Sequence, residues 1–342
     1  MEKLTKKGIL LMNLGSPNSP NVPDVKNYLR EFLMDEKVID IPWIARTLLV
    51  KGIIVPFRSP KSAHAYQSIW TKEGSPLLVN TYKLQKALQG IAPEAVEVCM
   101  RYGNPHPSTA FDNLQKMVPG IEEVILFPLY PHYAMSSYET AVEYAQQIHA
   151  QNKYSFKLTV VPPYFEDPIY IKALADSIAP YLETSYDKLV LSYHGIPERH
   201  IKKGDITCNH CLKTKDCCEV ASAAHEFCYR HQTIATTKLV AAQLGLKQDQ
   251  FEQSFQSRLG QDKWLTPYTA VRLKELPSEG VKNLLVVCPA FVSDCLETLE
   301  EIAEEGKEIF LKAGGNSFKM VPCLNAQSSW VSAVNELIQP FR

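Results

Sequence analysis

The sequence predicts an α/β protein of two similar domains, each built on a parallel sheet, with a cleft between them. The first observation is a set of short apolar runs, each stopping abruptly at a loop that carries Gly, Pro or a titratable side chain. The second is a helical pattern after the later run of each half. The third is that this strand–loop–helix rhythm occurs once in each half of the 342-residue chain. Such a rhythm argues for parallel strands joined by right-handed crossovers. At 45% hydrophobic residues the chain is long enough to bury two cores.

In chain order, the first predicted strand is Gly8–Met12, ending at Asn13-Leu14-Gly15. The segment Ile41–Phe57 is strongly apolar, with only Arg46 and Lys51 charged. It is read first as a helix packed in the core. The alternative is an exposed apolar lip for a greasy ligand or a bilayer surface. A strand over Glu123–Phe127 ends at Pro128-Leu-Tyr-Pro131, and a helical pattern covers Ser137–Ala150. The proline-rich stretch Pro162–Pro168 marks the domain change. The N-terminal domain is then 1–162 and the C-terminal domain 163–327. A last helical stretch, 328–342, is expected to pack back on the first domain. In the second half, strand Asp187–Leu191 ends at Ser192-Tyr-His194-Gly195. Strand Lys282–Val287 ends at Cys288-Pro289, and a helix is predicted over Ser293–Ala313.

The formal net charge of −1 excludes a global field that would recruit nucleic acid. No apolar run approaches the ~18 residues of a transmembrane helix. The run Ile9–Leu14 is too short for a signal peptide and reads as a strand. A cytoplasmic location is expected, with peripheral contact at the inner face of the cell membrane as an option. Neither a Gly-x-Gly-x-x-Gly turn nor a phosphate-binding loop occurs, so nucleotide binding has no motif.

Chemistry concentrates at two strand ends. In α/β proteins ligands bind beyond the carboxyl ends of parallel strands. His194 follows one apolar run, and Phe291-Val-Ser-Asp294-Cys-Leu-Glu297 follows another. An imidazole and a carboxylate so placed make a base and metal-handling pair. Asp294 reads equally as a helix cap. Glu297, Glu301, Glu304, Glu305 and Glu308 recur at helical spacing. From Glu304 onward a solvated face is the favoured reading; a carboxylate path for a metal cation or protons is the other.

Together the motifs resemble one family. Asn13-Leu-Gly-Ser-Pro17, Tyr28-Leu-Arg-Glu-Phe32, Gly74-Ser-Pro76, Pro128-Leu-Tyr-Pro131, Ser192-Tyr-His-Gly-Ile-Pro197, Gln256-Ser-Arg258, Trp264-Leu-Thr-Pro267 and Asp294-Cys-Leu-Glu-Thr-Leu-Glu-Glu301 resemble ferrochelatase in order. The resemblance implies two Rossmann-like domains of the chelatase type. It implies insertion of Fe2+ into protoporphyrin IX, giving protoheme. His194 and Glu297 are then the catalytic pair that handles the substrate metal. Leu14, Tyr102, Trp264 and Phe291 are implied as pocket walls for a flat apolar ring. Arg101 is implied as partner of a propionate, for which its bidentate fork suits better than Lys. Rival readings are a coproporphyrin III or cobalt chelatase, and a non-catalytic porphyrin-binding or iron–sulfur sensor protein. Either a monomer or a homodimer is compatible.

Five of the nine cysteines fall between Cys208 and Cys228. Such clustering without a secretory signal reads as a metal site rather than a disulfide framework. Some members of the resembled family carry a [2Fe–2S] cluster. That implies Cys208, Cys211, Cys218 and Cys228 as ligands, with Cys217 alternative to Cys218. Structural Zn2+ is the second choice, with His210 or His225 as further donors. The insertion spans 206–228.

Overall fold

The structure is a computed structural model that describes residues 6–258, 260 and 262–342. The chain divides into two units. The first holds Met1–Tyr130, Met135–Pro162 and Asn325–Arg342; the second holds Pro131–Ala134 and Pro163–Leu324.

The first unit carries four strands, β1 (Lys7–Ser16), β2 (Ala95–Gly103), β3 (Glu123–Pro128) and β4 (Lys157–Val160). They pair in the order β2-β1-β3-β4, all parallel. Helices α1 (Val22–Leu33), α2 (Trp43–Leu49), α3 (Val55–Ile69), α4 (Pro76–Gln89), α5 (Pro107–Met117) and α6 (Thr140–Gln151) belong to this unit.

The second unit repeats the plan with β5 (Lys188–His194), β6 (Phe251–Gln256), β7 (Asn283–Val287) and β8 (Ser317–Met320). Their order is β6-β5-β7-β8, again all parallel. Its helices are α7 (Pro168–Leu182), α8 (Glu198–Lys203), α9 (Tyr229–Gln243), α10 (Thr269–Glu275), α11 (Leu296–Leu299) and α12 (Lys307–Lys312). The last helix, α13 (Ser328–Ile338), belongs to the first unit.

The α/β class with two parallel sheets is as predicted, and its cause is visible in burial. In β1, Ile9, Leu10, Leu11 and Met12 have no exposed surface; neither do Val124–Phe127 of β3 nor Leu189–Leu191 of β5. Inner parallel strands are covered on both faces and therefore read as unbroken apolar runs. Each fully buried Leu or Ile contributes roughly 1.5–3 kcal/mol of transfer free energy.

Two elements differ from the sequence reading. The helix predicted over Ser293–Ala313 is broken into α11, a π-helical turn over Glu301–Gly306, and α12. The bond from Glu305 N to Glu300 O, 2.9 Å, is the wider i to i−5 closure of that turn. A similar turn, Met135–Glu139, precedes α6.

The second difference lies in Ile41–Phe57, where the core reading does not hold. Trp43, Ile44, Leu48 and Phe57 are 64–80% exposed. Only Arg46, Val50 and Val55 turn inward. The segment is α2, a π-helical turn over Val50–Ile54 and the start of α3. One face packs and the other does not.

Candidate active site

The second sheet has its topological switch between β5 and β7, because β6 lies on one side of β5 and β7 on the other. Ligands bind in the crevice outside such a point. His194 is the last residue of β5, paired in register with Gln256 of β6. Gly195 then turns the chain. Its N–H donates to Gln256 O at 2.6 Å. A Cβ there would lie 2.9 Å from Gln256 O and 3.3 Å from the Trp264 ring, so the turn leaves no room for a side chain.

His194 is half-buried. Its Nδ1 sits 2.7 Å from Gly195 O, and its ring meets Phe291 edge-on at 6.2 Å. A carbonyl is only an acceptor, so Nδ1 carries the proton and Nε2 keeps the lone pair. The strand end is held from outside as well: Tyr229 Oη donates to His194 O at 2.9 Å.

Glu301, in the chain that follows β7, lies near this imidazole. Glu301 accepts from Ser257 N at 2.7 Å and Ser257 Oγ at 2.5 Å. Ser257 holds φ at 59°, a left-handed conformation that costs a residue with a Cβ about 1 kcal/mol or more. Such local strain is characteristic of functional sites. Burial pushes the Glu301 carboxyl above the usual carboxylate range; the Ser257 bonds and the charge of nearby His194 pull it back, and the negative charge of Glu297 adds to the rise. Glu297 is anchored through its main chain, its carbonyl accepting from Gln256 Nε2 at 2.7 Å. Gln256 thus bonds both branches of the site. Glu304, Glu305 and Glu308 are exposed, in line with the solvated-face reading.

Asp294 is buried and acts as an anchor. Its Oδ1 accepts from Thr298 Oγ1 at 3.1 Å and Cys323 N at 3.2 Å, which fixes the start of α11. Trp264 is buried at 8% exposure beside Gly195, and half-buried Phe291 packs against the second core. His194, Glu297, Glu301, Phe291 and Trp264 therefore form one neighbourhood in the second unit.

In the first unit Leu14 occupies the equivalent place. Asn13-Leu14-Gly15-Ser16-Pro17 ends β1 as Tyr193-His194-Gly195-Ile196-Pro197 ends β5. Gly15 holds φ at 106°, and a Cβ there would lie 1.8 Å from Tyr102 O. This short internal repeat escaped the sequence reading, which saw only a repeat of organisation.

Arg101 and Tyr102 differ from expectation. Arg101 does not offer a free guanidinium: it pairs with Asp35 through Nη2 and donates from Nε to Thr140 Oγ1 at 2.7 Å. It also lies over the Tyr102 and Tyr144 rings at 4.3 and 4.4 Å. Tyr102 has no exposed surface and donates to Asp35 Oδ2 at 2.7 Å. Burial alone would raise the Asp35 carboxyl; the Thr140, Arg101 and Tyr102 partners outweigh it and hold it low.

The cysteine insertion folds around Asp205. Its carboxylate accepts from Thr207 N, His210 N and Cys211 N at 2.8–3.0 Å. These bonds hold it well below its usual range despite burial. Cys211, Cys217, Cys218 and Cys228 are buried, whereas Cys208 is exposed with φ at 58°. Exposed Cys208 thus stands apart from the expected ligand set, and both Cys217 and Cys218 belong to the buried group. Cys228 lies beside both Cys211 and Cys218, and Cys218 lies beside Cys217. Leu212 N, His231 N and Arg230 Nη1 aim at their sulfurs at 3.2–3.5 Å. Among the described residues no three Cys, His, Asp or Glu side chains sit at ready coordination spacing.

The family model and the similar sequences agree on one family. The model of the family "Ferrochelatase" matches residues 6–341. A ferrochelatase of Pseudomonas entomophila is 50% identical over 330 residues, covering 96% of this chain and 97% of that one. One from Opitutus terrae is 48% identical over 331 residues, covering 96% and 95%. Among solved structures, SirB from Bacillus subtilis with Fe3+ superposes with a TM-score of 0.56 at 12% identity, covering 98% and 95%. That likeness concerns the fold alone. The match over nearly the whole chain makes this chain a member of the ferrochelatase family.

Proposed function

We propose that the protein inserts ferrous iron into protoporphyrin IX to give protoheme, the last step of heme biosynthesis. It is a lyase that forms metal–nitrogen bonds to a porphyrin. The observation that carries the assignment is His194 at the switch point of a ferrochelatase-family sheet, close enough to Glu301 for its charge to act on that carboxyl. A free-base porphyrin must lose two pyrrole protons as the divalent cation enters. In its neutral form His194 offers one lone pair, on Nε2, and is suited to receive the protons one at a time, handing the first on before it takes the second. Glu297 offers a hard oxygen ligand that binds ferrous iron weakly enough to release it. Glu301, held toward its protonated form by burial, is suited to pass protons onward. Phe291 and Trp264 supply apolar and aromatic wall. Initial rates under anaerobic conditions test the assignment. Protoheme formation from protoporphyrin IX is expected to exceed the coproporphyrin III reaction; the reverse order overturns the substrate.

The exposed face of Trp43, Ile44, Leu48, Ile53 and Phe57 supports peripheral association with a membrane surface. Among the described residues no helix is long and apolar enough to cross a membrane.

The donor set of the insertion fits a [2Fe–2S] cluster: four buried sulfurs, with N–H groups directed at them. Cys211, Cys217, Cys218 and Cys228 would hold it. Bound there, it would supply one-electron chemistry and order the loop. Visible absorption and acid-labile sulfide in anaerobically prepared protein are the expected result. Stoichiometric zinc without sulfide would replace the cluster by structural zinc.

A further inference from the structure

Two features of the second unit share one short piece of chain. Cys228 belongs to the buried thiol group, and Tyr229 is its neighbour in sequence. Cys228 Sγ accepts from His231 N at 3.5 Å and so caps the N-terminus of α9. Tyr229 is the first residue of that helix, 5% exposed, and its hydroxyl holds the carbonyl of His194.

The helix start has little independent freedom. Gln232, fully buried, donates to Glu226 O at 2.8 Å and accepts from Tyr133 N at 2.6 Å. His132 Nε2 meets Thr236 Oγ1 at 2.9 Å, and the Tyr229 ring lies edge-on to His132 at 5.9 Å. Cys228 and Tyr229 are consecutive residues of the capped first turn, so a displacement of the Cys228 sulfur reaches Tyr229 through that turn. The bond from Tyr229 restrains the peptide that follows His194. One peptide further on, the Gly195 carbonyl accepts from His194 Nδ1, so the same turn orients the imidazole.

We propose that Tyr229 is a positioning residue that couples metal loading at Cys228 to the orientation of His194. The inference rests on reading His194 as the base and the buried thiols as a metal site. Metal binding fixes the Cys228 sulfur, that fixes the first turn of α9, and the Tyr229 hydroxyl then holds the end of β5 in its productive geometry. Without metal the sulfur keeps only the long bond from His231 N and the contacts of its neighbouring thiols, and the strand end gains freedom. Small misplacement of a reacting group has a large effect on rate.

The test uses the full chain, prepared anaerobically, with Tyr229→Phe, Cys228→Ser and both together. Phe keeps the ring and removes the hydroxyl. Ser preserves the helix cap, since it is a preferred N-cap residue, and removes the sulfur ligand. Four quantities are read: visible absorption, iron-insertion kcat, porphyrin KM, and amide exchange at His194–Ile196. Each single variant is expected to lower kcat about tenfold, with porphyrin KM changed by less than about twofold. Exchange at His194–Ile196 rises in both. Tyr229→Phe keeps the visible absorption. The double variant is no slower than Cys228→Ser, as one shared path requires.

Wild-type kcat and exchange in Tyr229→Phe would overturn the coupling, and so would effects that multiply in the double variant. Faster exchange across the whole sheet would also overturn it, since that marks a merely structural role. Thiols that take up no metal in the wild type would remove it as well. A wild type that exchanges as described yet inserts no iron would leave the coupling standing and refute the functional reading instead.

Discussion

Arg101 shows how a single residue can be right in type and different in role. Its fork was legible as a carboxylate binder, but the carboxylate it binds is Asp35 of its own unit. The Asp35 side chain is only 4% exposed. Removing one partner of a buried pair leaves an uncompensated charge, at a cost of about 3–5 kcal/mol. Arg101→Leu should therefore lower the unfolding free energy by that much in a denaturant titration; unchanged stability with a raised porphyrin KM would restore the propionate role. His132 gives a pH signature. Burial pushes its imidazole down to about 3, against ~6.5 in an unfolded chain. Between those values the unfolded chain binds a proton that the folded protein refuses. The contribution is present above about pH 6.5 and is lost as pH falls toward 3, costing roughly 2 kcal/mol by pH 5. His132→Gln should thus lose less melting temperature than wild type between about pH 7 and 5. Parallel curves would show that His132 does not titrate this way. His194 was legible because a titrating side chain at a strand end is conspicuous. Tyr229 was not, because its role depends on a contact with a residue 35 positions away.

At the scale of elements, the sequence disclosed the inner strands β1, β3, β5 and β7 and passed over the edges. The reason is burial. Inner strands present continuous apolar runs, whereas β6 reads Phe-Glu-Gln-Ser-Phe-Gln and β4 is only partly covered. The π-turn at Glu301–Gly306 was invisible because one inserted residue leaves helical spacing nearly unchanged. The segment Ile41–Phe57 was ambiguous since periodicity reports an apolar face but not what covers it. Its exposed side chains make a clear prediction. Ile44→Ser with Leu48→Ser should reduce binding to anionic liposomes and raise porphyrin KM. Both residues are exposed, so each change should shift stability by no more than about 0.5 kcal/mol. A large fall in melting temperature would return the segment to the core.

Across the described residues one plan is used twice, with different side chains at the matching strand ends. The β1 end presents Leu14 where the β5 end presents His194. Fold class and family were legible because the motifs lie at strand ends, where composition changes sharply. The shared use of α9 by the thiol group and the site was not, since it arises only when the chain is folded. The central claim is that His194 is the proton acceptor of metal insertion. It is tested by measuring kcat for ferrous iron insertion and porphyrin affinity, by fluorescence quenching, in His194→Ala. The expected result is a fall in kcat of at least about a hundredfold with porphyrin affinity retained, in line with the usual contribution of a general base. A variant that keeps most of the wild-type kcat would contradict it.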